Sequence, residues 1–372
     1  MNKTLGSSSL FTGTIIGAGI LGLPYIIEQT GFIIGLMEII FIGFIILLIS
    51  LMTGEIVLRT KQSHQIPGLV EKYIGKKTKH IITFLSLVFM YGAMIAYIQG
   101  CGNIIILLGF TPLIAKLLCF ILLTTIIHFG IKGVEDGELI LTPLIIICIL
   151  IISVSTLFYF EPSNLAKVDI SNTLSPIGVI MFAFAGLFAI PQMKEILGSE
   201  KKKLRKSILI GYFIPFLIYI FFVFSCIGAL GENISEIATI SLGNQYGIFF
   251  LIFGNLFAFF AMATCFISIG NSAKEIYNQD YKINNNLSTI LALFPSLIAL
   301  GNFSTFTQIL SLTGSIVFTP ILIIIIYVFY KAKKKGERKP EYELKIPNWS
   351  LWLIVLFLLF TAGLIGWQFL LF

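Results

Sequence analysis

The sequence predicts an all-α integral membrane protein, and three observations carry that prediction. Hydrophobic residues make up 57% of the 372 positions and charged residues only 12%. Mean hydropathy is +0.98. Continuous apolar runs of about 20 residues, the length a helix needs to cross a bilayer, recur from end to end. A soluble domain could not solvate such a surface, and the runs lack the period-two alternation of a membrane β-barrel. The opening "MNKTLGSSSLF" has no cleavage pattern, so the first span is expected to be retained.

Spans are expected near 10–27, 32–58, 81–108, 112–129, 139–160, 174–193, 207–230, 245–273, 287–300, 304–330 and 349–371. The ninth is the weakest, being short and carrying Pro295, but the basic segments on both sides of 287–330 require an even number of crossings. The connecting segments alternate in charge. One set holds Arg59, Lys61, Lys72, Lys76, Lys77 and Lys79, then Lys132, then Lys194, "KKKLRK", Lys274, Lys282 and "KAKKKGERK". The other holds Lys167, Lys116 at a helix start, and the acids Glu28, Glu161, Asp169, Glu232 and Glu236. The excess of basic residues marks the cytoplasmic side. A multi-pass cell-membrane protein follows, with a cytoplasmic N-terminus and, after eleven spans, an extracytoplasmic C-terminus. The net charge of +7 is then a topology signal facing lipid headgroups, and no nucleic-acid partner is expected. The expected organisation is a ten-span core over 1–330, a basic cytoplasmic loop over 331–348, and an eleventh helix over 349–372.

Enzyme chemistry finds no foothold. The five cysteines, Cys101, Cys119, Cys148, Cys226 and Cys265, all lie within apolar runs. They form neither a disulfide framework nor a CxxC pattern. His64, His80 and His128 are too scattered for a metal site. No nucleophile–base pair or phosphate loop can be placed, so no metal and no cofactor is expected.

The informative segment is "GTIIGAGILGLPY", Gly13 to Tyr25, in the first span. Glycine and proline are the poorest helix formers, and opened backbone inside a bilayer needs partners for every freed N–H and C=O. Gly13 and Gly17 form a small-xxx-small pair that close helix packing would explain. Gly19 falls on nearly the opposite face and Gly22 on neither, so packing accounts for only part of the pattern. The sixth span carries an echo. "GILGLP" (Gly19 to Pro24) and "GLFAIP" (Gly186 to Pro191) each place a proline five residues after a glycine. Each opens a five-span block, about 8–160 and 174–330, and five is odd, so the second block enters from the other side. Interrupted spans at matching positions of inverted halves point to a transporter site at the midplane.

Unwinding at Gly17-Ala18-Gly19 exposes N–H groups at the half-helix starting near Ile20, which suit a carboxylate. The half-helix ending near Ile15 and Ile16 offers carbonyls that suit an ammonium or a cation. The same division is expected around Phe182-Ala183-Phe184-Ala185-Gly186. A zwitterionic α-amino acid is the simplest ligand. Neither break carries a charged side chain, so a neutral substrate side chain is expected, with Phe182, Phe184 and Leu187 as apolar walls.

These residues carry a family resemblance. The chain resembles the amino acid/auxin permease family of the amino acid–polyamine–cation superfamily, and within it the aromatic amino acid permeases. "GTIIGAGILGLPY" resembles their first span and "FAFAGLFAIPQM" their broken sixth. "GEIVLR", "AYIQGCGNII" and "ATCFISIGNSAKEIY" are weaker matches to the second, third and eighth. The resemblance covers nearly the whole chain. It implies a LeuT-type five-plus-five inverted repeat with discontinuous first and sixth spans, and secondary active symport that is commonly proton-coupled. It places substrate against Gly17, Ala18, Gly19 and Ile20, against the sixth-span break, and near Tyr97. Many relatives have a histidine where this chain has Leu187, so that histidine's role does not carry over.

Two coupling ions stay open. By resemblance to sodium-coupled members, carbonyls of Gly13 and Ile16 would face Ala261, Thr264 and Cys265. A thiol is a poor ligand for a hard cation, and Thr264 could equally bond within its own helix. For protons, Glu55 is the candidate acid, since intramembrane carboxylates are usually functional. Its alternative is an i,i+4 ion pair with Arg59. Glu38 lies nearer the outer end of the same span. The function expected is proton-coupled symport of neutral amino acids, with aromatic ones as one option. Its alternatives are sodium coupling, or a non-transporting amino acid sensor on the same fold.

Overall fold

The computed structural model describes residues 3–106, 108–129, 132–301 and 305–371; within these, the side chains of 126, 128–140 and 367–371, His128 included, lie outside the described residues. The described residues are mainly helical and contain no strand. In chain order the helices are α1 (Lys3–Ile15), α2 (Ala18–Thr30), α3 (Phe32–Arg59), α4 (Ile66–Tyr73), α5 (Lys76–Ile106), α6 (Pro112–Phe129), α7 (Lys132–Thr156) and α8 (Ser175–Ala183). They continue with α9 (Ile190–Leu197), α10 (Leu204–Leu230), α11 (Ala238–Tyr246), α12 (Asn255–Glu275), α13 (Asn285–Leu293), α14 (Phe306–Leu312), α15 (Phe318–Lys335) and α16 (Asn348–Leu371).

Among the described residues, eight helical stretches are long and apolar enough to cross a membrane. The bent pair α1–α2, with 47° between its halves, makes a ninth. Two shorter apolar stretches, Pro112–Thr125 and Asn285–Leu300, stand where the fourth and ninth spans are expected. Of the eight, the sixth-span stretch Ser175–Leu197 is the most buried and the C-terminal Asn348–Gly366 the least. The bundle therefore wraps the sixth span and carries α16 on its outside. Its exposed side chains are large and apolar, among them Phe44, Phe84, Leu118, Ile147, Leu217 and Phe360. An outer surface of that kind belongs in lipid.

Several boundaries differ from the sequence expectation, three of them as follows. Helix α15 runs on through the lysines to Lys335, because long basic side chains favour a helix C-terminus and can snorkel away from lipid. Only residues 336–347 remain as a loop. The expected eighth span starting at 245 is divided. Gly247, at φ 93°, ends the separate helix α11, and the membrane helix starts after it. The first span begins at Lys3 rather than near 10.

The two sets of loops gather on opposite faces. On the acidic face, Lys167 pairs with Glu28 at 2.6 Å, and Asp169 N–H donates to Thr30 C=O at 2.9 Å. The α2–α3 turn passes so close to this loop that a Cβ on Gly31 (φ 94°) would lie 1.9 Å from the Lys167 carbonyl oxygen. On the basic face, loop 336–347 lies across the end of α3. Glu55 accepts from Arg59 Nε at 2.9 Å and from Leu344 N–H at 2.6 Å, and Arg59 also reaches Glu343 at 3.1 Å. Glu337 accepts from Lys61 N–H at 2.8 Å and pairs with Lys72 at 2.6 Å. Hydrogen bonding to Lys72 holds the Glu337 carboxyl below the usual range. Removing one partner of a buried ion pair strands the other charge. Glu55→Ala is therefore expected to cost about 3 kcal/mol of stability, read as a lowered thermal unfolding midpoint in detergent. An unchanged midpoint would remove Glu55 from the fold's support.

Candidate functional site

Both interrupted spans open where the glycines stand. Helix α1 ends at Ile15 and α2 begins at Ala18, with Gly17 (φ −136°, ψ −141°) as its N-cap. Helix α8 ends at Ala183; Phe184 to Gly186 are irregular, and a 3-10 turn over Leu187–Ala189 leads into α9. Both breaks are buried in the centre of the bundle.

The two breaks pack against each other reciprocally. A Cβ added to Gly19 would lie 2.5 Å from Cα of Ala183, the last residue of α8. A Cβ added to Gly186 would lie 2.5 Å from Cγ1 of Ile15, the last residue of α1. Each glycine thus lets one broken span approach the terminus of the other's first half. Such close backbone approach is what glycine permits and no other residue does.

The freed backbone groups divide into two kinds. The carbonyl ends are supplied with donors from neighbouring spans. Ile16 N–H returns to Thr12 C=O at 2.9 Å. The Cys265 thiol on α12 lies 3.0 Å from Gly13 C=O and 3.4 Å from Ile16 C=O. The Tyr219 hydroxyl on α10 reaches Ile15 C=O at 2.6 Å and Ala183 C=O at 3.0 Å. The N–H end is different. No side chain caps Gly17, and among the described residues no carbonyl from another element takes the first N–H groups of α2. A row of helix-start N–H groups without acceptors is an anion site.

The other expected residues distribute as follows. Tyr97 on α5 bonds Cys265 through its hydroxyl, which lies 3.3 Å from where a Gly17 Cβ would be. The Phe182 ring stands edge-on to Tyr97, with ring centroids 6.3 Å apart, so these two line one side of the first break. Phe184 faces α10 instead, stacked on Tyr212 at 5.3 Å and packed on Tyr219 at 5.1 Å. Ala18, Ile20 and Leu187 are fully buried beside the breaks. Thr264 bonds within its own helix, to Phe260 C=O and Ala261 C=O at 3.0 Å each. Glu55 sits in the ion pair at the basic end of α3. Glu38, on the same helix, has both carboxylate oxygens shielded and without a hydrogen-bond partner among the described residues. No cluster able to hold a metal ion occurs among the described residues. A groove of about 420 Å³ between α15 and α16, lined by Ile323, Tyr327, Tyr330 and Trp352, lies away from both breaks.

Residues 1–365 match the model of the tryptophan/tyrosine permease family. The chain belongs to that family. It is 26% identical to the tyrosine-specific transport system 1 of Haemophilus influenzae, over 96% of this chain and 95% of that protein. It is also 26% identical to glutamine transporter 2 of Aliivibrio fischeri, over 90% and 91% of the two chains. The low affinity tryptophan permease of Escherichia coli is 25% identical over 78% of each. Among solved structures, MhsT in complex with L-phenylalanine superposes with a TM-score of 0.74, covering 96% of this chain and 98% of that one at 16% identity. The fold is LeuT-type, and family membership makes the chain an amino acid permease rather than an enzyme.

Tyr219 is the site residue that the sequence did not single out. Its only signal is a lone tyrosine amid "FLIYIFFVF", where a buried phenol hydroxyl needs a partner. The close approach at Gly19 gives a graded prediction. Gly19→Ala meets backbone, which cannot move aside, and overpacking of about 1–3 kcal/mol should weaken amino acid binding roughly tenfold or more. Gly186→Ala meets side chains, those of Ile15 and Phe11, and not backbone, and should cost less. Equal binding by Gly19→Ala and the wild type, measured by isothermal calorimetry, would dissociate the breaks from the ligand.

Proposed function

We propose that this permease is a secondary active symporter of neutral amino acids, aromatic ones included, working by alternating access across the cell membrane with the proton as coupling ion. The observation that carries the reading is the pair of facing breaks. One offers uncapped N–H groups at Gly17 to Ile20 for a carboxylate, and two helix-end carbonyls lie opposite for an ammonium. Donors for a carboxylate beside acceptors for an ammonium suit the α-amino acid backbone, which tyrosine, tryptophan and glutamine, the substrates named for the relatives, share. Phe182 and Tyr97 supply an aromatic wall for the substrate side chain. The absence of charged side chains from both breaks favours neutral substrates.

In this reading the first and sixth spans move together against the remaining core within 1–330, the inverted halves being about 8–160 and 174–330. The basic face is cytoplasmic, so the N-terminus is inside and the helix over 349–372 ends outside. The donor set at Gly13 and Ile16 supports proton over sodium coupling, because a thiol already occupies those carbonyls and Thr264 is engaged in its own helix. Glu38, shielded and unpartnered, is the intramembrane acid to test first.

Purified protein in liposomes should accumulate labelled L-phenylalanine, L-tyrosine or L-tryptophan when the lumen is made alkaline, with no added requirement for sodium. Glu38→Gln should abolish the stimulation by the pH gradient while leaving exchange of internal for external amino acid. Uptake driven only by a sodium gradient would reassign the coupling ion. Binding without uptake under either gradient would make the protein a sensor.

A further inference from the structure

The Tyr219 hydroxyl is the one donor in the described structure that touches both broken spans, and it touches them at equivalent points. Ile15 and Ala183 are the final residues of α1 and α8, and their carbonyls lie 2.6 and 3.0 Å from the same oxygen. Gly19 and Gly186 bring those two termini together. Two helix C-termini meeting at one point concentrate negative partial charge. Inside a bilayer that charge requires a donor or a cation. Tyr219 is fully buried, and its ring is held by Phe184, so the hydroxyl cannot swing out to water.

We propose that the Tyr219 hydroxyl stands in for a monovalent metal cation at the paired helix ends. It holds the two breaks together when no substrate is bound, and it gives up these carbonyls to the substrate's α-ammonium when substrate arrives. Donor counting sets the exchange. A phenol has one O–H to share between two carbonyls, whereas an ammonium has three N–H donors and can satisfy both. The displaced hydroxyl can then accept from that same ammonium. Tyr219 is therefore a positioning residue with no covalent role, and its presence makes the paired ends independent of metal ions.

The proposal deepens the function proposed above and rests on it only for the substrate-binding arm of its test. The first arm needs no substrate. Thermal unfolding of wild type and Tyr219→Phe is followed in sodium chloride and in choline chloride at equal ionic strength. The wild type should unfold at the same temperature in both salts. Tyr219→Phe should unfold earlier in choline and recover part of the loss in sodium, as a cation enters the site the hydroxyl left. The second arm measures L-phenylalanine binding in the same salts. The wild type should be unaffected by the exchange of salts. Tyr219→Phe should bind about tenfold more weakly in choline, the scale of an unsatisfied buried acceptor, and regain affinity in sodium.

A variant that loses stability equally in both salts would mean that Tyr219 is merely structural and would overturn the proposal. So would sodium-specific stabilisation of the wild type. If Tyr219→Phe does not fold, 4-aminophenylalanine in place of Tyr219 decides the matter. It keeps the shape and supplies two N–H donors, so it should fold and remain indifferent to sodium; failure to fold, or a sodium requirement, counts against the idea. If the wild type binds no amino acid in either salt, the functional reading fails while the unfolding arm still decides the role of Tyr219.

Discussion

The backbone of two interrupted helices has to be satisfied where no water can reach, and the rest of the structure is arranged around that constraint. The carbonyls freed at the end of α1 lie beside donors from other spans or from their own turn, with the one S–H of Cys265 shared among Gly13, Thr14 and Ile16. Tyr219 serves Ile15, and Ile16 N–H serves Thr12. These donors sit on α10 and α12, so the breaks fix where those helices must stand. Tyr219 joins the end of α8 to the same point. Unpaired polar groups cost several kcal/mol each in hydrocarbon, so opening the helices is tolerable only because these neighbours are in place.

The division between supplied carbonyls and uncapped N–H groups gives the site a direction. Its cationic half is pre-filled by neutral donors, while its anionic half waits for a ligand. A ligand that brings a carboxylate meets N–H groups with nothing to displace. Its ammonium must compete with a hydroxyl already present. Recognition of the zwitterion then rests on the backbone of two helices, and selection among side chains is left to the aromatic neighbours Phe182 and Tyr97. Away from the site, the loop after α15 ties the end of α3 to the basic face through Glu55, Arg59, Glu343 and Leu344. That tie anchors part of the surrounding scaffold against which the broken spans would move.

Much of this was legible in the sequence because the signal was a violation. Glycine and proline in the middle of an apolar run are costly, and their recurrence at matching positions identified both breaks. The structure brings Gly19 and Gly186 into reciprocal contact with the opposite half-helix ends. The all-α membrane class followed from composition and the recurrent apolar runs, and the LeuT-type repeat from the family resemblance. What stayed hidden depended on contacts far apart in sequence. Tyr219 lies 204 and 36 positions from the carbonyls it serves, and a tyrosine in an apolar span is unremarkable by itself. Helical spacing is lost at a break, so spacing alone could not say that Phe182 would face Tyr97 while Phe184 stacked on Tyr212. For Glu55, sequence offered an ion pair or a functional acid, and the structure places it in the ion pair with Arg59. The separate helix α11 went unread, its last two residues being counted with the eighth span, because its stop signal, Gly247, lies just inside that span's expected start.

A structure of the protein with a bound aromatic amino acid tests the central claim most directly. The ligand carboxylate should lie within hydrogen-bonding distance of the N–H groups at the start of α2, and its ammonium against the carbonyls of Ile15 and Ala183. An amino acid found elsewhere, such as in the groove between α15 and α16, with the breaks still closed on one another, would contradict the account.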